Sequence, residues 1–200
     1  MTSRDKPAHQ RPELPDFWDH RFRSGVTPWD AGTVPASFKA HFDHQPPANI
    51  LVPGCGSAHE ALHLDRSGWK VVALDFAEAA IDAARQNLGD WSGTLLHADF
   101  FAHCPPRPYD TIYERAFLCA LPRKCWPDYA SGVARLLRPG GILAGYFYLG
   151  DDLKGPPFAI GRDELSALLG PFFVLESEHP ADDSIPVFAG KEYWMVWRKS

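Results

Sequence analysis

Two hundred residues, 45% hydrophobic and 22% charged, are the size and composition of one globular domain. A formal net charge of -5 without a basic run argues against a nucleic-acid partner, and no segment approaches the roughly eighteen apolar residues of a membrane span. Four cysteines, Cys55, Cys104, Cys119 and Cys125, form no C-x-x-C pair, and the N-terminus lacks a signal-like apolar stretch, so reduced thiols and a cytoplasmic location are expected.

Residues 1–12 are polar and proline-bearing and read as a disordered arm or a flap that orders on ligand. Beyond Leu14, the residues Phe17, Trp18 and Phe22 suggest a short amphipathic helix stopped at Gly25, and TPWD, with Trp29, forms an aromatic-rich turn. A second short helix, 35–43, carries Phe38 and Phe42. The division expected is a helical cover over the active site, 1–45, on an α/β body, 46–200, in one structural domain. Seven tryptophans in a chain that is 13% aromatic suit a ligand pocket as well as a core.

Apolar β-type runs at 49–53, 70–75, 94–98, 109–113 and 142–148 are separated by helical patterns at 58–66, 77–88 and 126–137. That rhythm predicts βαβ units and a parallel sheet with helices on both faces. Arg138-Pro139-Gly140-Gly141 is expected to end the last helix and turn the chain into the fifth strand. After a short helix, 161–169, the runs 172–178 and 192–198 read as an antiparallel pair closing the sheet edge. The fold expected is α/β: a doubly wound, mainly parallel seven-stranded sheet with an antiparallel C-terminal strand. YWMVW in that strand could bury its face in the sheet or support a partner; a monomer is favoured.

Two signatures overlap at Gly54-Cys55-Gly56-Ser57 and His59-Glu60-Ala61-Leu62-His63. H-E-x-x-H on a helix would hold zinc, with Glu60 as general base. The third ligand is missing, because Arg66 stands where the extended motif has glycine and Glu78 is only loosely available, so no metal is expected. The strand ILVP running into Gly54 and Gly56 is instead a glycine turn that lets backbone approach a cofactor beyond the strand ends. VVALD, the next strand, ends in Asp75, suitably spaced to accept both hydroxyls of a ribose diol; a helix cap is its structural alternative. His59 occupies the third-glycine position of nicotinamide-binding loops, which weakens a dehydrogenase reading, and the histidines of HEALH become part of a supporting helix, with Glu60 and His63 facing solvent or sheet.

From FWDHRFRSGVTPWD through LVPGCG, VVALD, ADFF and YERAFLCALP to LRPGG and GPPF, the chain resembles the thiopurine S-methyltransferase superfamily, which includes thiol, thiocyanate and halide methyltransferases. The resemblance implies a Rossmann-like class I fold and S-adenosyl-L-methionine as cofactor. It further implies that Trp18 and Trp29 lie over the methionine part, Gly54 and Gly56 form the turn beneath, Asp75 holds the ribose, Phe76, Asp99 and Phe100 surround the adenine, and Arg115 faces cofactor or substrate. Most methyltransferases of this fold carry an acid where Val52 stands, so the cofactor's amine needs other partners. Glu114-Arg115 resembles the thiopurine branch and FLCALP the thiol and halide branch.

The residues can supply the chemistry of methyl transfer to a small acceptor. Trp18, Phe22 and Trp29 offer aromatic faces to a sulfonium cation. Arg115 could stabilise a thiolate, or could pair with Glu114 or Asp110; Asp99 could equally be a cap. Phe22, Tyr146 and Phe158 are expected in the substrate pocket. The function expected is methylation of a thiol or thiopurine-like sulfur; halide, thiocyanate, selenium or tellurium methylation, a nicotinamide oxidoreductase, and cofactor binding without turnover are the alternatives.

Overall fold

The computed structural model describes residues 6–200; the part of the expected arm at 1–5 lies outside the described residues. Five apolar runs form adjacent parallel strands, β1 (Asn49–Pro53), β2 (Lys70–Asp75), β3 (Thr94–His97), β4 (Tyr109–Arg115) and β5 (Leu137–Tyr148). With β6 (Phe173–Pro180) and β7 (Glu192–Lys199) they make one sheet in the order β3-β2-β1-β4-β5-β7-β6. The expected antiparallel pair exists, but β7 is inserted between β5 and β6 and runs against both. Only β6 closes the edge.

Period-two alternation explains how a single sheet carries two cores. In β1, Leu51 joins the core under α5 (Trp126–Leu136) and α6 (Arg162–Leu169), while Ile50 and Val52 join the other, against α2 (Ala36–Phe42) and α3 (His59–Arg66). In β7, Met195 and Trp197 face the first core, and Trp194 and Val196 the second. YWMVW is therefore an interior strand buried on both faces.

One strand boundary differs from expectation. Helix α5 stops at Leu136, but Arg138-Pro139-Gly140-Gly141 lies inside β5 rather than before it. Leu137 pairs with Tyr109 and Ile142 with Thr111, so the intervening residues bulge out of the ladder. The bulge tolerates Pro139, which has no N–H to pair, and Arg138 anchors it through Asp110 at 2.6 Å.

The cover begins earlier than the expected arm allows. Residues Ala8–Gln10 form a 3-10 turn, and the Pro12 carbonyl accepts the Trp18 indole N–H at 2.8 Å. Helix α1 (Pro15–Arg23) packs against α4 (Glu78–Leu88). Helix α4 has no capping side chain of its own. Asp19 of α1 accepts the Ala79 N–H at 2.7 Å in that role, so the cover docks by satisfying a helix terminus of the body. No helix of the described residues is long and apolar enough to cross a membrane.

Candidate active site

The strand order reverses between β1 and β4, and such switch points open a crevice beyond the carboxyl ends of the strands. A cavity of about 740 Å³ fills it, within the usual range for small-molecule sites. Its floor is the glycine turn, where Gly54 and Gly56 adopt φ of +59° and +50°. A Cβ on Gly54 would come within 2.6 Å of the Phe117 ring, so both dihedral and packing require glycine there.

On the β2 and β3 side, the wall includes Asp75, Phe76, Ala98, Asp99 and Phe100. Asp75 is buried, and its two oxygens accept N–H groups of Gly56 at 3.2 Å and Ala77 at 3.0 Å. It thereby ties the glycine turn to the start of α4, and its remaining lone pairs are available to a ligand. Burial raises its pKa to about 6 against the opposing pull of those backbone donors. Asp99 accepts the Phe101 N–H at 2.9 Å, a local turn bond that leaves it in the wall.

On the β4 side stand Tyr113, Arg115 and Phe117. Arg115 pairs with neither residue expected of it. Asp110 is engaged with Arg138, and Glu114 points the other way, accepting the Leu118 N–H at 2.9 Å and the Tyr129 hydroxyl at 3.0 Å. Alternation along the strand puts Glu114 and Arg115 on opposite faces. Arg115 instead lies 3.8 Å from Glu60 and 3.7 Å from Glu192, over the Tyr146 ring at 4.8 Å, and its Nε and Nη2 are buried without a hydrogen-bond partner.

The cover supplies the roof. Trp29 meets Trp18 and Phe22 edge to face at 5.4 and 5.9 Å, and all three line the cavity with Pro12 and Leu14. Asp30 fixes this turn to the floor, accepting the Ser57 hydroxyl at 2.5 Å and the Gly32 N–H at 2.8 Å, with His59 at 3.2 Å.

Two expected pocket residues lie elsewhere. Tyr146 is inside the second core, its hydroxyl donating to Asp183 at 2.8 Å, and reaches the cavity only through Arg115. Phe158 packs on the first core, leaving Pro156 and Pro157 to line the cavity. The short loop points its prolines at the opening and its aromatic ring at the apolar interior. In HEALH, His63 pairs with Asp43 at 2.7 Å, and Glu60 faces the sheet where the cavity opens: it lines the cavity and accepts the Tyr113 hydroxyl of β4 at 3.1 Å. Among the described residues, no three His, Cys, Asp or Glu side chains gather as a metal-ligand set. Val187 and Phe188 also line the cavity but carry no local motif, and within TPWD and FLCALP nothing local marks Asp30 or Phe117 as cavity residues.

Comparison with known proteins gives a consistent picture. The family profile described as Thiopurine S-methyltransferase (TPMT) matches residues 14–200. Thiocyanate methyltransferase 1 of Brassica oleracea is 30% identical over 190 residues, spanning 91% of this chain and 84% of the relative. Thiopurine S-methyltransferase of Pseudomonas fluorescens is 30% identical over 184 residues, spanning 81% and 84%. Among solved structures, 1,6-didemethyltoxoflavin-N1-methyltransferase of Burkholderia thailandensis, with 1,6-didemethyltoxoflavin and S-adenosylhomocysteine bound, superposes with a TM-score of 0.75 at 18% identity over 98% of this chain and 91% of that one.

Proposed function

We propose roles for the residues of this cavity from one premise: the chain belongs to the thiopurine S-methyltransferase family. It is an S-adenosylmethionine-dependent methyltransferase acting on a sulfur nucleophile. The nicotinamide alternative falls with that assignment, and the halide, selenium and tellurium readings are not favoured.

The residues present fit such a cofactor. A nucleoside sulfonium needs acceptors for a ribose diol, a cavity against bare backbone, and a wall that tolerates positive charge. Asp75 has free lone pairs on a buried carboxylate, Gly54 has no Cβ where Phe117 leaves no room, and Trp18, Phe22 and Trp29 present aromatic surface. When bound, the cofactor supplies an electrophilic methyl group on a positively charged sulfur.

In this assignment Asp75 accepts the ribose hydroxyls, and Phe76, Asp99 and Phe100 enclose the adenine. Trp18 and Trp29, with Phe22, hold the cation, each aromatic face contributing about 0.5–2 kcal/mol depending on desolvation. They also exclude water, a competing nucleophile. The single observation that carries the acceptor side is Arg115, a buried guanidinium on the β4 side of the cavity whose Nη2 has no hydrogen-bond partner, while its Nε faces Glu192 at 3.7 Å. It orients an anionic sulfur by charge-assisted hydrogen bonds. Holding acceptor and donor in register is the principal catalytic effect, as orientation alone can supply up to about 7–11 kcal/mol.

The partner is therefore a small molecule, and a monomer suffices, since β7 is already buried between neighbours. Four free cysteines among the described residues support a cytoplasmic location. A methyl-transfer assay over thiols, thiopurines, thiocyanate, halides, and selenium and tellurium oxyanions tests the reading. Turnover is expected with sulfur acceptors; methylation confined to the others, or binding without turnover, would overturn it.

A further inference from the structure

The cavity near Arg115 holds more negative than positive charge. Glu60 and Glu192 both lie within 4 Å of the guanidinium, so Arg115 alone does not make this end a simple anion site. Glu192 is buried deep, 4% exposed, and sits behind Arg115 away from the lining. Glu60 is different. It lies one residue into α3, close to the glycine turn, and lines the cavity itself. Its Oε1 accepts the Tyr113 hydroxyl at 3.1 Å and is 3.8 Å from Arg115 Nη1. The titratable or charged groups around it are Tyr113 and Arg115 on β4 and Cys55 in the glycine turn, with Glu192 and Tyr146 beyond Arg115 and His59 and His63 on its own helix.

We propose that Glu60 is the general base that takes the proton of a thiol acceptor, with Tyr113 fixing its carboxylate and Arg115 holding the sulfur as it becomes anionic. The inference rests on the sulfur-methylation reading above. Most thiols are protonated near neutral pH, and a thiol is a far weaker nucleophile than its thiolate; a carboxylate lining the cavity beside Arg115 is the group placed to remove that proton. The S–H bond gives its proton to a Glu60 oxygen, and the electron pair left on sulfur forms the bond to the methyl carbon. The donor sulfur retains the pair of the bond that breaks and loses its positive charge. The products are a neutral thioether and S-adenosylhomocysteine, and Glu60 returns the proton to water.

Two thiols of similar shape separate this role from a structural one: benzenethiol, which is ionised at pH 8, and cyclohexanethiol, which is not. Glu60→Gln preserves the shape and the acceptor for Tyr113. Its kcat/KM at pH 8 is expected to fall about 100-fold more for cyclohexanethiol than for benzenethiol, the lower range of general-base effects. Calorimetric affinity for S-adenosylhomocysteine should stay within about twofold of wild type, which also establishes that the variant is folded. Equal losses with both thiols would make Glu60 a support for Arg115 and overturn the proposal. So would a tenfold loss of S-adenosylhomocysteine affinity, which would make Glu60 the partner of the cofactor's amine. Wild-type protein that binds S-adenosylhomocysteine and methylates thiopurines or thiocyanate but neither thiol would overturn the base and leave the sulfur reading standing; methylation of no sulfur acceptor would remove both.

Discussion

Asp75 does two things with one carboxylate: it ties Gly56 to Ala77 and leaves lone pairs for a ligand. Hydrogen bonds to a charged group contribute about 1.5–3 kcal/mol, so Asp75→Asn should weaken S-adenosylhomocysteine binding at least tenfold by calorimetry. Because burial raises its pKa to about 6, the ionised form proposed to accept the two ribose hydroxyls is depleted below that pH. The dissociation constant should therefore rise as pH falls from 7 to 5 in the wild type and stay nearly flat in Asp75→Asn. At Arg115 the identity of the cation matters more than its charge: Lys cannot present two nitrogens in one plane. Arg115→Lys should lower kcat/KM for thiols by 10-fold or more, with little change in cofactor affinity.

The cover is fastened at separate points, and each can be released alone. Asp19 caps α4, Lys124 reaches Glu13 at 2.9 Å, and Asp30 latches the Trp29 turn to Ser57. Asp30→Ala should raise the dissociation rate of S-adenosylhomocysteine several-fold, followed by recovery of Trp18 and Trp29 fluorescence, while Asp19→Ala should chiefly destabilise the fold by about 1 kcal/mol, the usual loss for a helix cap. The elements themselves were legible where periodicity is local: β1 to β4 and α3 to α5 fall within a few residues of the expected runs. The RPGG bulge was not, because a proline and two glycines after a helix signal a turn with equal force, and only the Leu137–Tyr109 pairing makes them strand. At the site, Asp75 and the glycines could be read from a strand ending in a turn. Tyr146 and Phe158 could not be placed, since strand alternation and loop direction decide which side chain faces the cavity. Glu60 was visible in HEALH, but its partner Tyr113 lies 53 positions away.

Two buried carboxyls, Asp75 and Glu114, give an expected pH dependence of stability. Burial raises Asp75 from 3.8 to about 6 and Glu114 from 4.5 to about 7. The folded chain thus binds these protons more tightly than the unfolded one. Their stabilising contribution is complete below the unfolded values and is lost as pH rises through the folded ones. Without ligand, the melting temperature should decline between pH 4 and 7 more steeply than in the Asp75→Asn, Glu114→Gln double variant, and saturating S-adenosylhomocysteine should offset part of the loss. The proposed roles give the cavity a direction: nucleoside toward β2 and β3, sulfur beneath the tryptophans, acceptor toward Arg115. A crystal structure with S-adenosylhomocysteine measures that directly. The ribose hydroxyls should lie within hydrogen-bond distance of Asp75, and the sulfur between the glycine turn and Trp18 and Trp29, facing Arg115; a nucleoside seated at the Arg115 end, or outside this cavity, would contradict it.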